Sequence, residues 1–227
     1  MLSKSISKNS LLLGAFALVT TAVLAFTAEF TKERIAQAER AAQQKALFEI
    51  VPRNTHDNDM LVDTINVPEA AWAGLGLKSG GKIYVARHVD EAIAIIVPAV
   101  APDGYSGDIR MVIGINVDGS IAGVRIIDHH ETPGLGDKVD IKKAPWVLAF
   151  NGKSSNAPDL SRWKVKKDGG DFDQFAGATI TPRAVVNQIR QVLEFVDAHR
   201  DELFKKNSGT TVSNTADKLE STTAKSQ

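Results

Sequence analysis

The stretch "FAGATITPRAVVNQIR", residues 175–190, joins a run of small residues to what its pattern predicts to be a helix. Thr181 stands directly before Pro182, an order typical of a helix start, where Thr caps the helix and Pro occupies its first turn. Apolar residues then recur at intervals of three and four, as in an amphipathic helix; they are Val185, Ile189, Val192, Leu193 and Val196. We therefore predict a helix over residues 182–204 with Thr181 as its N-cap.

The residues that lead into this helix, Ala176 to Ala178, leave the backbone almost bare. The first N–H groups of a helix have no partner inside it and attract anions such as phosphate. One interpretation is therefore an anion site, and the other is that Gly177 only permits a turn. No Lys follows as in a Walker loop, so the stretch does not indicate nucleotide hydrolysis.

Four segments upstream have the pattern of strands, either alternating or short and apolar; they are residues 82–89, 92–100, 107–117 and 121–128. Asp118-Gly119 separates the last two, as in a hairpin turn. We predict three or four antiparallel strands with flanking helices, an α+β fold. Short helices are expected at 70–77 and 141–150, and a further strand at 161–170.

The N-terminal region has the composition of a membrane segment. Residues 9–28 carry no charge, and a helix of about 20 residues spans roughly 30 Å, enough to cross the hydrocarbon core. Good helix formers follow over residues 29–51, which we interpret as a helical stalk. The alternative is a signal peptide cleaved near Val23-Leu24-Ala25.

The basic residues beside this segment suggest its orientation. Lys4 and Lys8 lie in a short tail, residues 1–8, which we expect to stay in the cytoplasm, although the basic residues after the span nearly balance them. The remaining limits that we predict are a folded domain over 52–206 and a disordered tail over 207–227, where little can be buried.

Composition excludes several kinds of chemistry. The 27 Lys and Arg residues equal the 27 Asp and Glu residues, so no excess positive charge attracts nucleic acid. The chain has no Cys, which excludes disulfides, thiolate nucleophiles and Cys-ligated iron–sulfur clusters. Of the five His residues, His129 and His130 are adjacent and would point to opposite faces of a strand, so we predict no metal site.

The residues "DQFAGATIT", 173–181, resemble the flavinylation motif of the FMN-binding domain family. The family has Ser or Thr where this chain has Ala176, followed by Gly-Ala-Thr-x-Thr, and its last Thr is joined to FMN through a phosphoester. The resemblance implies Thr181 as the covalent attachment site, with Gly177, Ala178 and Thr179 beside the flavin.

A second block, "HHETPGLG" at residues 129–136, resembles the segment that lines the flavin in the same family. It implies that Glu131, Thr132, Leu135 and Gly136 contact the cofactor. Taken alone, these residues would indicate only a loop. Two blocks in the family's order, after one N-terminal span, favour the flavin interpretation.

The whole layout is similar to the G subunits of Rnf-type electron transport complexes, and the C subunits of sodium-translocating NADH:quinone reductases share the domain but are usually longer. The resemblance implies an electron-transfer subunit with covalent FMN in the bacterial inner membrane, crossing it once, with its soluble domain in the periplasm. Other subunits and a flavin transferase would be its partners, and no catalytic residue of its own is expected. The alternative from another class is a non-redox binding module tethered to the membrane.

Overall fold

The computed structural model describes residues 2–205, so the predicted tail at 207–227 lies outside the described residues. Helix α1 runs without a break over Leu2–Ile50, a length of about 73 Å. Within it, Ser10–Arg34 is long and apolar enough to cross a membrane, with a mean hydropathy of 2.2 and no burial against the domain. Span and stalk therefore form one helix, and the limits predicted inside it stay predictions.

The predicted antiparallel sheet is confirmed, with five strands in the order β1 to β5. They are β1 (Thr64–Asn66), β2 (Lys82–His88), β3 (Glu91–Gly104), β4 (Gly107–Asn116) and β5 (Ile121–Asp128). The hairpin at Asp118-Gly119 is confirmed, with Gly119 at a φ of +89°. The sequence analysis did not predict strand β1, because three residues are too few to display an alternating pattern.

Helix α3 (Ile180–Ala198) covers one face of the sheet and contacts β3 most extensively. Its predicted apolar stripe is buried: Val185, Ile189 and Val192 have no exposed surface. Burying a side chain of this size contributes roughly 1.5–3 kcal/mol. The predicted helix over 182–204 is thus largely confirmed, although it is interrupted at His199 before the short helix α4 (Arg200–Leu203).

The opposite face of the sheet receives the end of α1. Leu47 and Ile50 pack there against Ala94, Ile96 and other small or branched residues. Gly114 makes this approach possible, because a Cβ on it would lie 2.2 Å from Cγ2 of Ile50. The stalk is therefore seated on the domain and held by close apolar packing.

The predicted strand at 161–170 is wrong. This segment forms two 3₁₀ turns, Leu160–Arg162 and Lys166–Asp168, with one isolated bridge from Val165 to Phe172. Its alternating apolar residues face inward because the loop packs an aromatic cluster, in which the Trp163 and Phe172 ring centres are 4.6 Å apart. Alternation here reflects loop packing and not strand pairing.

Two predicted short helices also differ from the structure. The segment expected to be helical at 141–150 forms a 3₁₀ helix over Pro145–Phe150. The helix expected at 70–77 is the single turn α2 (Glu69–Trp72). Both segments are too short for helix propensity to fix their type, because nucleation cost dominates in such lengths.

Candidate cofactor-binding site

The two sequence motifs meet at one pocket. All eight residues predicted from them line a cavity of about 310 Å³, together with Tyr105 and Ile180; the eight are Glu131, Thr132, Leu135, Gly136, Gly177, Ala178, Thr179 and Thr181. The cavity lies where the β3–β4 turn, the loop after β5 and the start of α3 come together. Residues far apart in the sequence thus form one site.

A buried hydroxyl and a buried carboxylate occupy the centre of this pocket. The Thr181 hydroxyl donates a hydrogen bond to Oε2 of Glu131. The Ser106 N–H donates to the other carboxylate oxygen at 3.0 Å. Thr181 has no exposed surface, and Glu131 is 4% exposed. Burying a carboxylate is costly unless it is hydrogen-bonded, and these two donors supply that compensation.

The loop over 131–136 is shaped by its own backbone. The Thr132 carbonyl accepts the N–H groups of Leu135 and Gly136, each at 3.1 Å. The Asp137 carboxylate accepts the N–H of Gly134 at 2.8 Å. A Cβ on Gly136 would lie 2.7 Å from both the Thr181 hydroxyl and the Glu131 carboxylate. The lack of a side chain at 136 therefore lets this loop lie against the central pair, and any Cβ there would force the loop or the pair to shift.

The turn over 175–178 uses glycine for its conformation. The Ala178 N–H donates to the Phe175 carbonyl at 3.1 Å, and Gly177 has a φ of +79°. Gly177 thus forms a turn, and because the same turn lines the pocket, the turn interpretation and the anion-site interpretation are compatible. The Trp146 ring packs against Phe175 at 5.2 Å between centres, which holds the turn on the core.

Thr181 is not the N-cap that the sequence predicts. Helix α3 begins at Ile180, and Thr179 flanks it without a side-chain capping bond. The Thr181 hydroxyl faces Glu131, and so it is not available to cap. Pro182 lies in the first turn, where a missing N–H costs nothing.

The first backbone N–H groups of this helix have no hydrogen-bond partner in the described part of the chain. Among residues 2–205, none accepts a hydrogen bond from the N–H of Thr179, Ile180 or Thr181. Such N–H groups and the helix dipole favour an anion. The arrangement gives an anion a place beside a reactive hydroxyl.

Of the described residues, no cationic side chain lines the pocket, and the ionisable groups that do are Glu131 and the Tyr105 phenol. Arg183, two residues after Thr181 in α3, forms two hydrogen bonds with Asp168, at 2.6 and 2.9 Å. These bonds raise the pKa of Arg183 and lower the pKa of Asp168. Arg183 lines a neighbouring cavity that shares Ile180 with this pocket, and its guanidinium is paired with Asp168 there.

Sequence reasoning missed Tyr105 and Ile180. Tyr105 is 68% exposed on the turn between β3 and β4, beside Gly104 and Gly107. The two glycines indicate a turn, but no sequence signal shows that this turn reaches a loop 25 residues away through the Ser106–Glu131 hydrogen bond. Ile180 lies inside the motif and is 44% exposed.

The described residues contain no group of three or more His, Asp or Glu side chains that could hold a metal ion. His129 has a different role in the structure. Its Nδ1 accepts the N–H of Glu131 at 3.1 Å. The histidine thereby helps to fix the start of the 131–136 loop.

Comparison with known proteins identifies the parts of the chain. Residues 104–194 match the FMN-binding domain, and residues 1–50 match the RnfG N-terminal region. A Pseudomonas aeruginosa protein, named as the G subunit of an ion-translocating oxidoreductase complex, is 48% identical over 200 residues, covering 88% of this chain and 92% of its own length. The chain belongs to this family of G subunits.

Further relatives carry the same name. The protein from Shewanella amazonensis is 46% identical over 208 residues, covering 92% of this chain and 96% of its own length. The protein from Vibrio atlanticus is 43% identical over 199 residues, which cover 88% of this chain and 94% of its own length. The FMN-binding match contains both motifs and the pocket, and the N-terminal match contains α1.

The pocket fits an FMN cofactor by its own chemistry. Its volume lies at the lower end of the range for small-molecule sites. Open N–H groups suit a phosphate, and exposed Leu135, Ile180 and Tyr105 offer apolar surface to a ring system. Bound FMN would supply electron transfer, while the protein residues hold and orient it.

Proposed function

We propose that this chain is a membrane-anchored electron-transfer subunit that carries FMN joined to Thr181 through a phosphoester. It works with the other subunits of an ion-translocating oxidoreductase complex, the complex after which its relatives are named. Oxidation of the substrate takes place on those subunits, and a separate flavin transferase loads the cofactor.

One observation carries the proposal: the Thr181 hydroxyl lies at the junction of both motifs, at a helix start whose first three N–H groups have no acceptor among the described residues. A phosphate esterified to Thr181 would be within reach of these donors. An anion at a helix start gains about 0.3–1 kcal/mol from the dipole. The flavin ring would then extend toward Leu135 and Tyr105.

The charges of the pocket support a covalent bond in particular. A phosphate held only by non-covalent forces usually pairs with Arg or Lys. Among residues 2–205, neither type lines this pocket, and Glu131 repels a phosphate. A phosphoester to Thr181 retains the cofactor without any cation, and it prevents loss of FMN by dissociation.

The test asks whether flavin stays attached to the chain after the protein is denatured. The full chain is co-expressed with an active flavin transferase, purified, denatured and separated by electrophoresis, and flavin fluorescence is read in the gel. We expect a fluorescent band for the wild type and for Thr179→Ala, and none for Thr181→Ala. Thr179 is the matched control because it lines the same pocket. A band that persists in Thr181→Ala would contradict the proposed attachment site.

We propose further that α1 is a retained single-pass anchor with the domain on the periplasmic side. The short basic tail before the span supports this orientation. Because the chain has no Cys, single cysteines can report it. In intact cells, a membrane-impermeant maleimide should label Val62→Cys, which is 78% exposed in the domain, and not Ser5→Cys. Labelling with the opposite pattern would overturn the orientation.

The known relatives bear on both alternatives. Each relative described above is named as a G subunit, which favours that family over the C subunits of sodium-translocating reductases. A non-redox binding module would not need the Thr181 hydroxyl. Such a module would therefore bind its partners equally well as Thr181→Ala, whereas an electron-transfer subunit would lose its function.

A further inference from the structure

Glu131 presents a chemical problem at the phosphate site. It is a carboxylate, 4% exposed, in a pocket that we propose to hold a phosphate, and it lies beside the threonine that would carry the phosphate. A carboxylate cannot attract a phosphate, and like charges at hydrogen-bond distance repel. Its presence there points to a role other than attracting the phosphate.

The hydrogen bond between the two residues indicates that role. Thr181 Oγ1 donates its only proton to Glu131 Oε2, across 50 residues of sequence. The other carboxylate oxygen is fixed by the Ser106 N–H at 3.0 Å. Gly136 lies directly against the pair, since a Cβ there would be 2.7 Å from both the Thr181 hydroxyl and Glu131 Oε2. The carboxylate is thus hydrogen-bonded to the hydroxyl proton of Thr181, the proton that must leave when the ester forms.

We propose that Glu131 is the general base for flavin attachment, so that the acceptor subunit supplies a catalytic residue to its own modification. This inference rests on the proposed phosphoester at Thr181. A threonine hydroxyl is a weak nucleophile and needs an adjacent base to react at neutral pH. No other ionisable side chain of the described residues is hydrogen-bonded to it.

The step balances with an activated donor, an FMN phosphoanhydride such as a flavin dinucleotide, which the transferase would bring. Thr181 Oγ1 forms a bond to the flavin-side phosphorus, and the anhydride P–O bond breaks. The nucleotide monophosphate leaves with the bonding electron pair. The hydroxyl proton passes to Glu131 Oε2, and nothing is oxidised or reduced. Because Thr181 has no exposed surface, the transferase must open the pocket before this step.

Two isosteric variants separate a base from a structural carboxylate. In Glu131→Gln the side-chain carbonyl still accepts from Ser106 N–H, but the amide cannot take a proton. Asp137→Asn is the matched control, because Asp137 is also a buried acid of this loop that accepts a backbone N–H, that of Gly134. Purified full-length apo chains are incubated with active transferase and flavin dinucleotide, and the rate of mass gain is measured across pH.

We expect Glu131→Gln to be loaded about a hundredfold or more slowly, the usual contribution of a general base. Its rate relative to wild type should recover as pH rises, because hydroxide replaces the base. Asp137→Asn should be loaded at nearly the wild-type rate, and all three apo chains should share one near-UV circular dichroism spectrum. A Glu131→Gln rate equal to wild type at every pH would overturn the proposal.

A chemical rescue is a second, independent test, made on a variant whose near-UV circular dichroism matches that of wild type. In Glu131→Ala, added formate should restore loading in proportion to its concentration, since a small carboxylate can enter the space left by the side chain. Loading that does not respond to formate contradicts a base at this position. Failure of the wild type to load, with the transferase active on another acceptor, would instead refute the phosphoester itself.

Discussion

Helices α1 and α3 pack on opposite faces of the same sheet, and the last turn of α1 and the first turn of α3 make contacts of opposite chemistry. At the end of α1, Leu47 and Ile50 pack on apolar residues in a space that Gly114 leaves free. At the start of α3, a hydroxyl and a carboxylate are buried together, and three N–H groups have no acceptor among the described residues. One contact anchors the domain to the membrane helix, and the other forms a site.

The comparison shows how glycine serves both purposes. Gly114 admits Ile50, a side chain that only fills space. Gly136 admits the Thr181 hydroxyl, a side chain that can react. Because the α1 contact only packs and the α3 contact forms the site, changes at the end of α1 should alter stability without altering flavin loading. Changes at the α3 start should alter loading more than stability.

Ile50→Ala should give the largest change in stability. Ile50 is 5% exposed and fills the space beside Gly114, so its truncation leaves a cavity that costs about 2–5 kcal/mol. Urea unfolding of the domain followed by circular dichroism measures this loss. Val62→Ala, at a side chain 78% exposed, is the control and should change little. Flavin loading of folded Ile50→Ala should equal that of wild type, and reduced loading would break the proposed division.

Gly136→Ala should strongly impair the site. The added Cβ would approach the Thr181 hydroxyl and the Glu131 carboxylate to 2.7 Å, so the loop or the pair must shift. We expect loading by the transferase to fall tenfold or more, as measured by mass gain. Gly134→Ala is the control: no described atom lies within 4 Å of its Cβ, and its φ of +78° costs only about 1–2 kcal/mol of stability. Equal loading of both variants would contradict the role given to Gly136.

Tyr105→Ala should have a smaller effect. The ring lines the pocket but is 68% exposed, so it contacts a bound flavin without supporting the fold. We expect loading to proceed and the fluorescence of the attached flavin to rise, because an adjacent tyrosine quenches flavin emission by donating an electron to the excited ring. Tyr105→Phe keeps a ring of similar shape but loses the oxidisable phenol, so it should emit like Tyr105→Ala. Identical emission from all three chains would place the flavin away from this turn.

The smallest expected effect is a change in Tm when the surface ion pair of Asp168 and Arg183 is removed. The hydrogen bond from Arg183 lowers the pKa of Asp168 in the folded chain. A lowered folded pKa gives stability above the unfolded pKa, about 3.9, and that stability is lost as pH falls through the folded pKa. Asp168→Asn should therefore lower Tm slightly at neutral pH and not at the acidic end. A Tm difference that is the same at every pH would exclude this ionic contribution.

Sequence reasoning reached the sheet, the long helices and the pocket residues because their signals are periodic or belong to motifs. Alternation identified β4, and the spacing of Val185, Ile189 and Val192 identified α3. It failed at residues 161–170, where apolar alternation serves a loop packed around Trp163. Local pattern cannot distinguish these cases, because apolar residues alternate with polar ones in both stretches of sequence.

The site differs from its prediction in one instructive respect. The order Thr181-Pro182 favours a capping threonine, yet the helix starts earlier and Thr181 bonds to Glu131. Local capping chemistry was overridden by a contact across 50 residues, which no short stretch of sequence encodes. Tyr105 was missed for the same reason, since only the folded chain brings its turn to the pocket.

The most direct measurement is peptide mass spectrometry of the loaded chain. Trypsin should release residues 168–183, a peptide that contains both Thr179 and Thr181. We predict that this peptide carries the mass of FMN less one water, and that fragmentation assigns the added mass to Thr181. An unmodified peptide from a chain exposed to active transferase, or the added mass on Thr179, would contradict the account.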